Sequence, residues 1–215
     1  MSDSPAPVFD DAFRSRLREL IAWRRDVRHF HRDPLPAGSL ERLIECACLA
    51  PSVGLSQPWR FVIVEDAERR AAIGACFESC NADALRAQTP ERAALYARLK
   101  LAGLDDAPGQ IAVFADRDTS QGHALGRLTM PQTIDYSVVM AVHTLWLAAR
   151  AEGIGVGWVS ILDPARVAAI LQTPPAWALI GYLCVGYPVE ETESPVLERD
   201  GWETRRRSSD CILNR

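Results

Sequence analysis

Near the start of the chain Phe13, Leu17, Leu20 and Ile21 recur at helical spacing. They predict an amphipathic first helix from Phe9 to about Trp23, behind the capping carboxylates Asp10 and Asp11. A dense polar stretch, Arg24 to Arg32, then runs to Pro34 and Pro36. A second helix follows over Ser39 to Leu49, with Leu40, Leu43, Ile44 and Ala47 inward, and Pro51 ends it. Pro51 to Trp59 is a loop, because two prolines and Gly54 flank small hydroxyls. Phe61-Val62-Ile63-Val64 and Ile111-Ala112-Val113-Phe114 are apolar runs of the length of buried strands, while residues 66–88 and Glu91 to Leu101 read as helices. Residues 132–152, nearly all apolar around Val138, Val139, Val142, Leu145, Trp146 and Leu147, predict a central buried helix stopped by Gly153. Gly155 to Ile161 and Ala178 to Val185 are the remaining strands, and Asp163 with Pro164 caps a short helix to Leu171.

Two segments carry no period. Residues 116–131 mix Gly, Ser, Thr, His and Arg over a length that a plain connection rarely has, so a lid is expected there. Residues 187–215, with Trp202 and Arg205-Arg206-Arg207, read as a C-terminal arm that cannot bury its apolar residues alone and is expected to wrap a partner subunit. Residues 1–8 are expected to be flexible, and with no repeat or linker in view residues 1–215 form one domain.

Composition narrows the function classes. A chain of 215 residues that is 48% hydrophobic can build a substantial core. All but one of its 24 basic residues are arginine, Lys100 being the exception, yet the net charge is −4 and acids are interspersed throughout. That distribution excludes a general nucleic-acid binder, so anion recognition has to be local. No run approaches the ~18 apolar residues of a membrane span, and Asp3, Asp10 and Asp11 break up any signal peptide, so a cytoplasmic protein without membrane attachment is expected. Cys46, Cys48, Cys76, Cys80, Cys184 and Cys211 lack CxxC spacing and read as reduced thiols.

Several motifs fail on context. Gly153, Gly155 and Gly157 open a strand instead of a helix, the reverse of a dinucleotide fingerprint, and Gly54-Leu55-Ser56-Gln57-Pro58 is not a nucleophile elbow. His29 and His31, with isolated His123 and His143, complete no metal set. The strongest signal is Arg24-Arg25-Asp26-Val27-Arg28, whose three guanidiniums can supply charge-assisted donors to a phosphate or polyol, or else form an exposed ion-pair cluster.

Taken in order, Arg24-Arg25-Asp26-Val27-Arg28, then Ala50-Pro51-Ser52 through Gln57-Pro58-Trp59, then Gly155-Val156-Gly157-Trp158-Val159-Ser160 resemble the nitroreductase-like flavoprotein superfamily, over roughly residues 15 to 205. Within it the chain is most similar to the BluB group, the 5,6-dimethylbenzimidazole synthases. Ordinary nitroreductases usually carry serine where this chain has Asp26, and Trp158 to Leu162 and Leu197 to Trp202 also look like that group.

The resemblance implies an α+β fold, a nitroreductase-like mixed sheet flanked by helices, in a homodimer that exchanges its C-terminal arm and holds FMN at the subunit interface. It implies that reduced FMN is the substrate and is consumed with dioxygen as co-substrate and no metal, yielding 5,6-dimethylbenzimidazole and erythrose 4-phosphate for the cobalamin lower ligand. A flavin reductase is the implied source of reduced FMN. By the same resemblance Arg24, Arg25 and Arg28 contact the phosphate and ribityl chain, together with Asp26 and Val27 of the motif, and Ser52 and Gln57 reach the ribityl or ring edge. Arg205 returns to the phosphate, while Arg206 and Arg207 are expected to be solvated. Asp26 is the candidate acid or base near the ribityl carbon that is cleaved, and Ser160, near flavin N5, is the candidate group that steers oxygen by hydrogen bonding. A conventional NAD(P)H-dependent FMN nitroreductase with a retained, cycling flavin is the alternative, and Asp26 in place of serine speaks against it. A non-catalytic flavin-binding protein would not need both Asp26 and Ser160, and cobalt reduction would need a corrinoid surface that the sequence does not display.

Overall fold

The computed structural model describes residues 6–215, so most of the segment expected to be flexible lies outside the described residues. The helices are α1 (Asp11–Trp23), α2 (Ser39–Ala47), α3 (Ala67–Arg86), α4 (Pro90–Tyr96), α5 (Thr133–Ala151), α6 (Pro164–Leu171) and the short α7 (Val196–Arg199). The strands are β1 (Trp59–Ile63), β2 (Gly109–Asp116), β3 (Gly155–Val159) and β4 (Trp177–Gly186). Every predicted helix and strand forms; α6 has the bounds expected from its Asp163 cap, and most of the others shift at one or both ends. α1 starts at Asp11 because Asp10 is its cap, the carboxylate accepting from the Phe13 N–H at 2.8 Å. α4 stops at Tyr96 instead of reaching Leu101, and the Lys100 carbonyl beyond it is taken by the Arg28 side chain.

The strands run in the order β1-β2-β4-β3, and all three pairings are antiparallel. The parallel component of the expected mixed sheet is confined to a single bridge between Asp26 and Val156. In β2, Ile111, Val113 and Ala115 join one core with α2 and α5, while Ala112 and Phe114 join a second core with α3 and α6. Burial on both faces is why this strand is a continuous apolar run in the sequence and shows no alternation.

The apolar stripe of α1 is open: no residue of this helix is buried, and Phe13, Leu17 and Ile21 are exposed. α5 is central, yet only one face is covered, by way of Val138, Ala141, Val142 and Leu145, while Tyr136, Val139 and Met140 remain open. The arm makes contacts within its own chain. Glu191 pairs bidentately with Arg150, and Trp202 packs edge-on to Tyr96 under the Arg92 guanidinium, so the arm is stapled to its own chain as far as about residue 205. Beyond that, Ile212 and Leu213 are exposed.

Candidate active site

β3 is the outer strand of the sheet, and the segment Arg24–Arg28 lies along its open edge. The Val27 N–H donates to the Val156 carbonyl at 3.0 Å, and the Trp158 N–H donates to Asp26 Oδ1 at 2.8 Å. Such close approach needs glycine. A Cβ at position 157 would stand 2.0 Å from the Val27 carbonyl oxygen, and one at 155 would stand 2.8 Å from the Val27 side chain. From beneath, Trp146 of α5 donates its indole N–H to the Arg25 carbonyl at 3.0 Å and sets its ring 4.9 Å from the Arg24 guanidinium.

The three arginines of this segment are set apart by their partners. Arg28 Nε donates to Asp26 Oδ2 at 2.9 Å, and its Nη1 donates to the Lys100 carbonyl at 3.0 Å. Arg25 donates to the carbonyls of Ala22, Arg24 and Glu193, tying the segment to the arm. Arg24 lies over the Trp146 face and donates no side-chain hydrogen bond among the described residues. With Asp26, Arg28, Pro195, Val196, Leu197 and Arg205 they line a cavity of about 160 Å³. Burial holds Arg24 and Arg25 below the ordinary arginine range; Arg205 lowers both further, and Asp26 partly offsets this at Arg24. Four guanidiniums line this small cavity, and the two that are partly desolvated, Arg24 and Arg25, are also repelled by Arg205; an anion of phosphate size would relieve both penalties. Ser160 follows β3 directly and is exposed, two residues beyond the amide that holds Asp26.

The second group of predicted residues lies on the loop between α2 and β1. Ser52 Oγ accepts from the Gln57 N–H at 3.1 Å, and the Val53 N–H donates to Ser137 Oγ near the start of α5 at 3.0 Å. Gly54, Leu55 and Gln57 all have positive φ, an unusual density of left-handed residues. Residues 117–130 form a chain of turns that closes onto this loop. Gly54 and Gly122 face each other so tightly that a Cβ on Gly122 would stand 2.5 Å from the Gly54 carbonyl oxygen.

One chain brings Arg24, Arg25, Asp26, Val27, Arg28, Ser160 and Arg205 to one region, and Ser52 with Gln57 to another. Ser137 and Trp146, which anchor the two regions on α5, are nine residues apart, or about 14 Å along the helix. Arg206 and Arg207 do not line the cavity. Sequence reasoning missed Trp146, read only as core, and Gln121, whose side chain reaches Gln57. Among the described residues no three metal-ligating side chains cluster, and no helix is long and apolar enough to cross a membrane. All six cysteines are unpaired.

Residues 21–187 match the Nitroreductase family. A 5,6-dimethylbenzimidazole synthase of Rhodospirillum rubrum is 59% identical over 200 residues, covering 93% of this chain and 95% of its own. A protein of the same name from Rhodobacter capsulatus is 47% identical over 195 residues, covering 91% and 94%. Among solved structures, iodotyrosine deiodinase bound to FMN and 3-iodo-L-tyrosine superposes with a TM-score of 0.71 at 25% identity, covering 93% of this chain and 97% of that one.

Proposed function

The chain belongs to the nitroreductase family, and from that premise we propose that it is a 5,6-dimethylbenzimidazole synthase, an oxidoreductase that fragments reduced FMN with dioxygen into 5,6-dimethylbenzimidazole and erythrose 4-phosphate, the remaining carbons and nitrogens of the pyrimidine ring leaving as separate oxidised fragments. The observation that carries the reading is the 59% identity over nearly the whole of both chains. The carboxylate of Asp26 at the cavity supports it from the side of geometry. When bound, reduced FMN supplies the electrons for oxygen activation.

The chain's own groups divide the remaining tasks. Arg24 and Arg205 are the guanidiniums left to take the phosphate, and Arg25 contributes charge from the cavity wall while its hydrogen bonds hold the arm. Arg28 orients Asp26, and Val27 fixes the register of the segment on β3. Asp26 is placed to hold or move a proton at the ribityl chain, and Ser160 to donate a hydrogen bond near the reacting ring. Ser52 and Gln57 take the ring or ribityl edge, and residues 116–131 act as the lid that excludes water.

In this reading two chains meet as a homodimer, which joins residues of both groups in one site and covers the open stripes of α1 and α5. Sedimentation at twice the mass of one chain checks it. A separate flavin reductase supplies reduced FMN in this reading. Aerobic incubation with FMN and a chemical reductant is the functional test. Flavin absorbance that fails to return on reoxidation supports the proposal, and full return supports a cycling reductase instead.

Trp146→Phe keeps an aromatic face under Arg24 but leaves the Arg25 carbonyl without its donor. FMN affinity is expected to fall about tenfold, ~1.4 kcal/mol, with little change in the rate at saturation. Fluorescence titration against wild type measures it.

A further inference from the structure

Gln121 lies on the lid, 64 residues from Gln57 in sequence, and its single side-chain nitrogen makes two contacts: Nε2 is 2.9 Å from the Leu55 carbonyl oxygen and 2.9 Å from the Gln57 side-chain oxygen. The polarity of this chain of contacts is forced. A backbone carbonyl can only accept, so the Gln121 atom facing Leu55 has to be nitrogen. The second hydrogen of that nitrogen then meets Gln57, so the Gln57 atom there has to be its oxygen. The remaining end of the Gln57 amide is the NH2 group, which donates to no partner among the described residues.

The rest of Gln57 is equally constrained. Its N–H is held by Ser52 Oγ at 3.1 Å, its carbonyl accepts from Arg60 Nη1 at 3.2 Å, and its φ of +41° is one that a non-glycine residue keeps only when its surroundings enforce it. The lid and the loop also meet through Gly54 and Gly122, where a side chain on either would strike backbone.

We propose that Gln121 is a positioning residue that fixes the amide of Gln57 as a hydrogen-bond donor, so that the site offers N–H groups to an acceptor on the flavin: a ring carbonyl, a ring nitrogen or a ribityl oxygen. This rests on the reading that the site binds FMN. A lid that sets the polarity of a binding residue couples closure to recognition, because Gln57 is free to turn its oxygen to the ligand whenever the lid is away.

Gln121→Glu inverts the relay. An ionised carboxylate only accepts, so Gln57 must turn its NH2 toward residue 121 and present its oxygen to the flavin. Titration with oxidised FMN, followed by flavin fluorescence, is expected to show at least tenfold weaker binding at pH 7.5. The loss should shrink as the pH is lowered toward 5. The Leu55 carbonyl oxygen, which cannot turn away, raises the carboxyl pKa, and the protonated acid can again donate. Gln121→Leu, which neither donates nor accepts, should lose about threefold with no pH dependence beyond that of wild type. At pH 5 the thermal midpoint should be the same in all three proteins. Wild-type affinity in Gln121→Glu, or a loss equal to that of Gln121→Leu at every pH, overturns the inference while leaving FMN binding intact. A wild-type protein that binds no FMN removes the underlying reading and this inference together.

Discussion

Gly157→Ala is expected to destabilise the protein by about 3 kcal/mol or more and to abolish FMN binding by whatever remains folded. The added methyl would stand 2.0 Å from the Val27 carbonyl oxygen, and backbone on both sides leaves no flexible side chain to give way. Either the edge segment leaves β3, breaking the Val27–Val156 and Asp26–Trp158 hydrogen bonds, or β3 bends away from β4. Both routes displace Arg24 and Asp26 from the cavity. Gly74→Ala is the control, since a methyl there meets nothing within 4 Å and helix α3 gains up to ~1 kcal/mol. Denaturant melts of the two variants, paired with flavin titration, decide the matter. A Gly157→Ala protein with wild-type midpoint and affinity would show that the segment does not depend on this contact.

The second large effect is expected at Asp26. Asparagine keeps an oxygen that can accept from the Trp158 N–H, so the segment stays on the sheet edge. Its NH2 group then faces Arg28 Nε, donor against donor, at a cost of about 1 kcal/mol. FMN affinity should stay within a few-fold, whereas formation of dimethylbenzimidazole should drop by at least a hundredfold, because an amide cannot hold or move the proton. Wild-type turnover in Asp26→Asn would remove Asp26 from the chemistry and leave it the structural role its two hydrogen bonds already describe. Ser160, exposed at the end of β3, has no such tie among its recorded contacts, so the same comparison at Ser160→Ala isolates catalysis more cleanly.

How much of this was legible in the sequence depended on the range of the interaction. The strands around Val62, Val113 and Leu183 were legible because burial on both sheet faces writes continuous apolar runs. The stripe Phe13, Leu17 and Ile21 was equally legible, but what it packs against was not, and within one chain nothing buries it. The end of α4 at Tyr96 was missed because local propensity favours continuing to Leu101, while the Lys100 carbonyl is claimed by Arg28, 72 residues away. At the site, Arg24 and Arg25 are indistinguishable as neighbours in a motif. Only the fold shows one lying on Trp146 and the other spent on three carbonyls. Gln121 carried no signal because its meaning lies in two atoms of a distant loop.

Consumption of the flavin is read from product stoichiometry. Purified protein is given chemically reduced FMN and air, and the mixture is resolved by mass spectrometry after the reaction stops. One dimethylbenzimidazole and one erythrose 4-phosphate for each FMN lost is the predicted result. Quantitative recovery of intact FMN, with oxygen consumed and no benzimidazole formed, would contradict it.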